Sequence, residues 1–495
     1  MLELNEKSGK ILESEKLLTV DCEYDVVVVG GGIAGIGAAI AAARAGCRTL
    51  VIEMSSSLGG LATIGLVNIP LDHLSGIGKE MFKRLEEVDA LWHCNTDPEK
   101  HKLILDRMVS ESGCDILFVT YVVDSIVRNG AICGVVVESK GGRKVILAKR
   151  VVDCSGDADA AFFAGCEYEV GRAEDGLPQG CSLEFRLGGG ERNKYVNSEL
   201  KSSDPYWIEF VKNALKTGDL PYEVDNHLNW MTHVPGRPEH CGKDEVSICF
   251  AHSRNCKPLC NHDLTRMYLE GREQCDMLWK FIKKCVPGFE SCWLIDTGTL
   301  LGVRDSRRIT GEYILNAYDV ASRAKFDDVI AISWRGFDIH NPTGPGNLRW
   351  VEWELNGQKR YIVAHKGGLG GSAFPPGGKE VLCDYQGKAG KDLVFSDDPQ
   401  MSYYDIPYRS LVPLHVDNLL VAGRCLSADF PAQAATRLVM CCNAMGEAAG
   451  VAAAISLKRG ITPRQVDRIE LQQVLLKNNC TLGLPGRVIP GLQAK

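Results

Sequence analysis

No Cys-x-x-Cys pair occurs among the 20 cysteines of this 495-residue chain. That absence argues against a ferredoxin-type cluster and against a thioredoxin-like redox pair. No block of Lys and Arg stands out and the formal net charge is −7, so nucleic acid is not an expected partner. No apolar run has the length of a membrane span; the longest candidate, residues 444–455, is short and rich in small residues. The N-terminal segment mixes Glu and Lys and lacks the apolar core of a signal peptide. The expected setting is therefore the cytoplasm, with reduced thiols and no membrane. A second dinucleotide fingerprint is also missing. The Gly-rich tract at 367–371 is followed by Pro375 and Pro376, where no helix can start.

What is present is one complete βαβ signature at residues 25–53. A β-branched run, Asp25 to Val29, has the pattern of a buried parallel strand. It enters Gly30-x-Gly32-x-x-Gly35, with Ile33 and Ala34 at the head of an Ala-rich helix that Gly46 stops. A second strand, 47–52, ends at Glu53 and Met54. Gly30 suits a tight turn, Gly32 admits a pyrophosphate, and Gly35 lets helix and strand pack closely. The helix N-terminus offers N–H groups to phosphate, and Glu53 can accept hydrogen bonds from a ribose diol. A second glycine pair, Gly59 and Gly60, precedes Ala62 and Thr63 and suggests another close backbone approach.

Farther along, helices are expected at 76–88 and 101–112, and three meander strands at 116–126, 131–139 and 144–148. A buried strand at 150–156 delivers Ser155, Gly156 and Asp157 to the carboxyl edge of a parallel sheet, where ligands bind. From about 165 to 402 the pattern is less regular, with an amphipathic helix at 264–285. A strand at 417–422 ends at Gly423 and Arg424, and a small-residue helix at 432–458 follows, stopped by Gly460. The densest Cys/His group is His240, Cys241, Cys249, His252, Cys256, Cys260 and His262. It matches no standard zinc spacing, and a Cys-rich strand and loop is the alternative reading; no metal site is assigned.

Five stretches carry a resemblance to a known family: 25–53; L-G-G-L-A-T-I-G at 58–65; V-V-D-C-S-G-D-A-D-A-A-F-F-A-G at 151–165; 301–340, with G-V-R-D-S-R-R-I-T-G; and 404–450, with A-G-R-C-L-S-A. The chain resembles the FAD-dependent oxidoreductases of the glutathione-reductase-like, two-dinucleotide-fold group. The resemblance implies an α/β fold: a Rossmann-like FAD-binding domain, with parallel sheet and β-meander, and an inserted mixed α+β substrate domain. The implied division is a lead-in at 1–24, FAD domain at 25–165 and 403–460, substrate domain at 166–402, and a C-terminal helix and tail at 461–495. It further implies FAD bound extended. Gly30, Gly32 and Gly35 would meet the pyrophosphate, Glu53 the AMP ribose, and Val123 the adenine through its backbone. Ser155, Gly156 and Asp157 would lie near the AMP half, and Gly423 and Arg424 near the pyrophosphate and ribityl chain. The helix from 432, including Ala435, would aim its N-terminus at the flavin, where anionic charge develops on reduction.

For catalysis the expectation is a proton carrier titrating near neutrality. His340 is the first choice, with Asp338 to orient it. Arg304, Arg307 and Arg308 are candidates to grip a carboxylate, with at most one facing the substrate. Arg437 and Tyr404 complete the set. The expected reaction is hydride transfer between a small organic substrate, at a C–H bond next to O or N, and FAD. Reduction of an activated C=C bond and service as an electron-transfer subunit are the alternatives. The electron acceptor stays open, and a homo-oligomer is compatible with the sequence.

Overall fold

The computed structural model describes residues 3–5, 10–12, 15–70, 73–236, 244–348, 350–355, 358–363, 381–383 and 399–492. The Gly-rich tract at 367–371 and residues His240 and Cys241 lie outside them.

A seven-stranded sheet organises the first lobe. Its central strand, Val20–Val29, runs parallel to Thr49–Ile52 on one side and to Gly142–Asp153 on the other. Val26, Val27 and Val28 are fully buried because both sheet faces are covered. Asp115–Leu117 adds a parallel edge beyond Thr49–Ile52.

Two expected strands fuse and one divides. Residues 144–148 and 150–156 belong to the single strand Gly142–Asp153, which changes partners along its length. Its first half pairs antiparallel with Ala131–Ser139 in the meander, and its end pairs parallel with Leu419–Val421. The expected strand 116–126 breaks at Val119, whose φ is 53°. Val119 and Thr120 donate backbone bonds to Ser55 and Glu53, and the chain then leaves for the meander strand Tyr121–Arg128.

The expected helix 432–458 is two helices, Phe430–Thr436 and Val439–Arg459. Leu438 between them is extended, at φ −74° and ψ 152°, while Arg437 is tied by its side chain to Asp338. The first helix is capped by Asp429, which accepts from Ala432 N, with Pro431 in its first turn. The second, 21 residues long, is long and apolar enough to cross a bilayer by length and composition, and 94% of that window is buried inside the protein. It packs along the fingerprint helix Ile33–Arg44 at very short range. A Cβ on Gly446 would stand 1.9 Å from Ala34 O, and one on Gly450 would stand 2.3 Å from Ala38 O.

The second lobe has its own core, drawn from residues 181 to 301. Four antiparallel strands lie in the order Trp230–His233, Asp244–Ser253, Cys181–Gly190 and Trp293–Thr297. The 25-residue helix Asn261–Cys285 covers them through Met267, Cys275, Leu278 and Phe281. Residues 315–339 pack instead into the core of the first lobe, where Val329–Ser333 pairs with Tyr404–Pro407. The independent core of the inserted lobe, among the described residues, thus ends near Leu301. Among the described residues no group of three or more His, Cys, Asp or Glu side chains is placed to hold a metal ion.

Candidate active site

A cavity of about 330 Å³ lies between the lobes. Its first end is the fingerprint. Gly30 sits at φ +93°, and a Cβ there would meet Cys154 O at 2.6 Å, so the turn and the neighbouring strand end both require glycine. Nothing stands within 4 Å of a Cβ built on Gly32. The helix after it has no side-chain cap, which leaves first-turn N–H groups for a phosphate. The Glu53 carboxylate is organised by its own backbone surroundings: Oε2 accepts from Gly31 N at 2.7 Å and Oε1 from Ser55 N at 2.8 Å. Gly59 N donates to Gly31 O, so the second glycine pair is stitched to the fingerprint loop.

Most of the expected cofactor residues line this cavity: Gly30, Gly32, Ile33, Ala34, Glu53, Met54, Gly59, Gly60, Ala62, Ser155, Gly156, Gly423 and Arg424. Five of the expected cofactor residues do not line it, and neither does the catalytic candidate Tyr404. Gly35 closes the helix onto the turn, a Cβ there meeting Gly30 O at 1.8 Å. Thr63 donates its hydroxyl to Leu58 O. Val123 sits at a register shift in the meander. Asp157 pairs with Arg424 at 2.9 Å. Tyr404 is fully buried and donates to Ala435 O, which makes both core residues. The helix end at the cavity is that of Val439–Arg459, through Leu438, Val439 and Cys442, rather than residue 432. It too lacks a side-chain cap.

The other end of the cavity is charged. Arg304, Arg437, Asp338 and His340 line it together. Of the three clustered arginines only Arg304 does so. Arg307 donates to Asp157 O and to Asp159, and Arg308 to Asp305, Gly171 O and Ala428 O. Arg437 holds Asp338 at 3.1 Å, and Asp338 lies 3.4 Å from His340 Nε2. Burial works to raise Asp338, but Arg437 and His340 outweigh it and hold the carboxyl well below the usual carboxylate range.

His340 departs from its expected role as a group titrating near neutrality. Burial, with Arg304 second, pushes its imidazole down to about 3. His252 stacks on it, ring centroids 5.1 Å apart. His252 Nδ1 faces Phe250 O and Asp225, and its Nε2 faces Arg304 Nη2 at 3.4 Å. A neutral His252 protonated on Nδ1 satisfies all three, donating to the oxygens and accepting from Arg304. Arg304 Nη1 donates to Gly180 O, so this guanidinium is fixed on two sides.

The site also includes residues that sequence reasoning missed, Ser182, Glu184, Asn229, Trp230 and Arg335, and Cys249, which it singled out only as part of the Cys/His group. The available signal was the strand Cys181–Gly190, which carries Glu184 and Arg186 inside a segment buried at every position. Charges in a buried strand are paired or functional. Arg186 is paired with Asp296, while Glu184 Oε2 has no hydrogen-bond partner.

A parallel βαβ sheet, its glycine-rich turn and a cavity running from that turn to a cluster of charged side chains define a dinucleotide-binding enzyme. The chain belongs to the FAD-dependent oxidoreductase family, whose model matches residues 25–366 and 382–475. FAD is accordingly its cofactor, and the open cradle at Gly32, the fixed Glu53 carboxylate and the two uncapped helix ends fit it.

Among curated relatives, a digeranylgeranylglycerophospholipid reductase of Methanoculleus marisnigri is 27% identical over 37% of this chain and 52% of its own. A tRNA uridine 5-carboxymethylaminomethyl modification enzyme of Geotalea uraniireducens is 26% identical over 41% of this chain and 36% of its own. The chain thus spans about half, or less, of the length of these relatives. A solved geranylgeranyl bacteriochlorophyll reductase-like protein of Thermoplasma acidophilum is 13% identical, with a TM-score of 0.39, covering 92% of this chain and 82% of that one.

Proposed function

We propose that this enzyme moves a hydride between FAD and a small organic substrate, at a C–H bond next to oxygen or nitrogen. The supporting observation is that Arg304, Arg437, Asp338 and His340 meet in the same cavity as the fingerprint. FAD, when bound, supplies a two-electron carrier. The chain itself has to bind, orient and handle the proton. Arg304, fixed by Gly180 O and His252, is the anchor for an anionic or carbonyl oxygen of the substrate. Arg437 is committed to Asp338, so its charge is largely spent within the protein. The neutral His340, held by Asp338, offers its ring as a hydrogen-bonding wall. The buried setting of these groups keeps water from competing for the substrate. Membership of the glutathione-reductase-like group is part of the same proposal, supported by the single fingerprint and the meander beside it.

A second reading runs in the reductive direction, and the reductase among the relatives favours it. Anaerobic mixing of the FAD-loaded protein with a panel of hydroxy acids, amines, sugars and enoates separates the two. Bleaching of the flavin by a hydroxy acid, amine or sugar is the expected result. Failure of all of these, with reoxidation of chemically reduced flavin by an enoate, would replace the first reading by the second.

A further inference from the structure

The cavity is lined by a buried carboxyl that has one oxygen without a hydrogen bond. Glu184 lies on the strand Cys181–Gly190 and is 2% exposed. It lines the cavity together with Arg304, Cys249 and Ser182. Ser182 Oγ donates to its Oε1 at 2.8 Å. Its Oε2 is buried with no hydrogen-bond partner. Its backbone is pinned from the next strand, Gly298 N donating to Glu184 O at 2.8 Å. A buried carboxyl oxygen without a partner is costly, and such groups persist where they have a task.

We infer that Glu184 is the proton acceptor and donor of the reaction, an inference that rests on the hydride-transfer reading of this cavity. In the oxidative direction the substrate C–H bond breaks, and its electron pair leaves with the hydrogen to FAD. The adjoining O–H or N–H proton passes to Glu184 Oε2, and a C=O or C=N bond forms. The substrate loses two electrons and FAD gains them, and the neutral carboxyl returns its proton to solvent before the next turnover. Reduction is the same exchange reversed.

The surroundings suit this role. The groups facing Glu184 are Arg304 from the loop after Leu301, Cys249 from the adjacent strand, and Cys275 from the covering helix. Burial raises the carboxyl to about 7, with Arg304 opposing it. A proton carrier works best when its pKa lies near the working pH. His340, held near 3, is a far weaker base at neutrality.

The test is Glu184→Gln, with Glu184→Asp beside it. Both are expected to keep a full complement of FAD. Wild-type bleaching is expected to speed up through an ionisation near neutrality, and Glu184→Gln to lose that ionisation and slow by about 10²–10⁴-fold. Glu184→Asp is expected to retain the ionisation at a lower rate. Independently of turnover, difference infrared spectra from about pH 5 to about pH 9 should show a protonated-carboxyl band that disappears near neutrality in the wild type and is missing in Glu184→Gln. A band that does not titrate, or an unchanged rate and pH profile in Glu184→Gln, overturns the role of Glu184. If no substrate of the panel bleaches the wild type, the hydride-transfer reading falls, and the role of Glu184 with it.

Discussion

At the scale of single residues, the place of Glu53 at the cavity was legible because it follows from a fixed spacing from the glycines, set by one strand–helix–strand unit. The structure adds what spacing cannot show. Both carboxyl oxygens already accept backbone N–H bonds, from Gly31 and Ser55, so Glu53 shapes the loop as well as facing the cavity. Glu53→Ala is therefore expected to cost on the order of 1.5–3 kcal/mol of FAD binding, about a ten- to hundredfold loss of affinity. Flavin retained after extensive dialysis measures it, and wild-type retention would place Glu53 outside the binding determinants. Asp338 and His340 were readable as a pair from a spacing of two, which on a strand shares one face; the strand here is Ile339–His340 alone, yet Asp338 still stands 3.4 Å from His340 Nε2. The titration of His340 was not, because burial and Arg304 set it, and Arg304 lies 36 positions away in sequence. Glu184 was missed on similar grounds. Its partners come from three separate segments, and only the fold brings them together.

At the scale of elements, the reading succeeded where period and stop signals are local. The Asn261–Cys285 helix and the αL glycine at Gly460 are examples. It failed where tertiary contacts override a continuous pattern. The small-residue run after 430 looks like one helix, but Arg437 is pulled out to Asp338 and splits it in two. The glycines in the second of those helices have a packing duty that the sequence showed only as a permissive stretch. Gly446→Ala gains up to about 1 kcal/mol of helix propensity. Against that, its Cβ would stand 1.9 Å from the backbone oxygen of Ala34. No rotamer change relieves a contact with backbone, so the helices must separate. The expected net result is a loss of about 1–3 kcal/mol, the range for overpacking, together with weaker FAD binding because Ala34 lines the cavity. Chemical denaturation and flavin titration read the two effects. Gly141→Ala, with its nearest neighbour at 3.6 Å, is the control and is expected to change stability by no more than about 0.5 kcal/mol. Equal stability of the two variants would show that the helix pair tolerates the extra atom.

At the scale of the whole molecule, two hydrophobic cores face one cavity. One contains the fingerprint helix and residues 315–339, and the other lies between 181 and 301. Backbone bonds already join them: Thr299 N and Leu300 N donate to Ile64 O. The cavity wall draws on both, from Gly30 and Ala34 on one side to Ser182, Trp230 and Cys249 on the other. A cofactor bound there is wrapped by both lobes, so its binding energy should stabilise them together. For a ligand that binds only the folded state, excess at a hundred times Kd contributes about 2.7 kcal/mol. Calorimetry of the FAD-free protein titrated with FAD is therefore expected to show a single transition moving upward with FAD concentration, and moving less at the same concentration in Glu53→Ala. The inserted lobe offers a separate readout, because Trp207 is fully buried in its core beside Tyr195 and Phe250. A second transition, assigned to that lobe and unmoved by FAD, would mean that the lobes unfold independently and that the cofactor is held by the first alone.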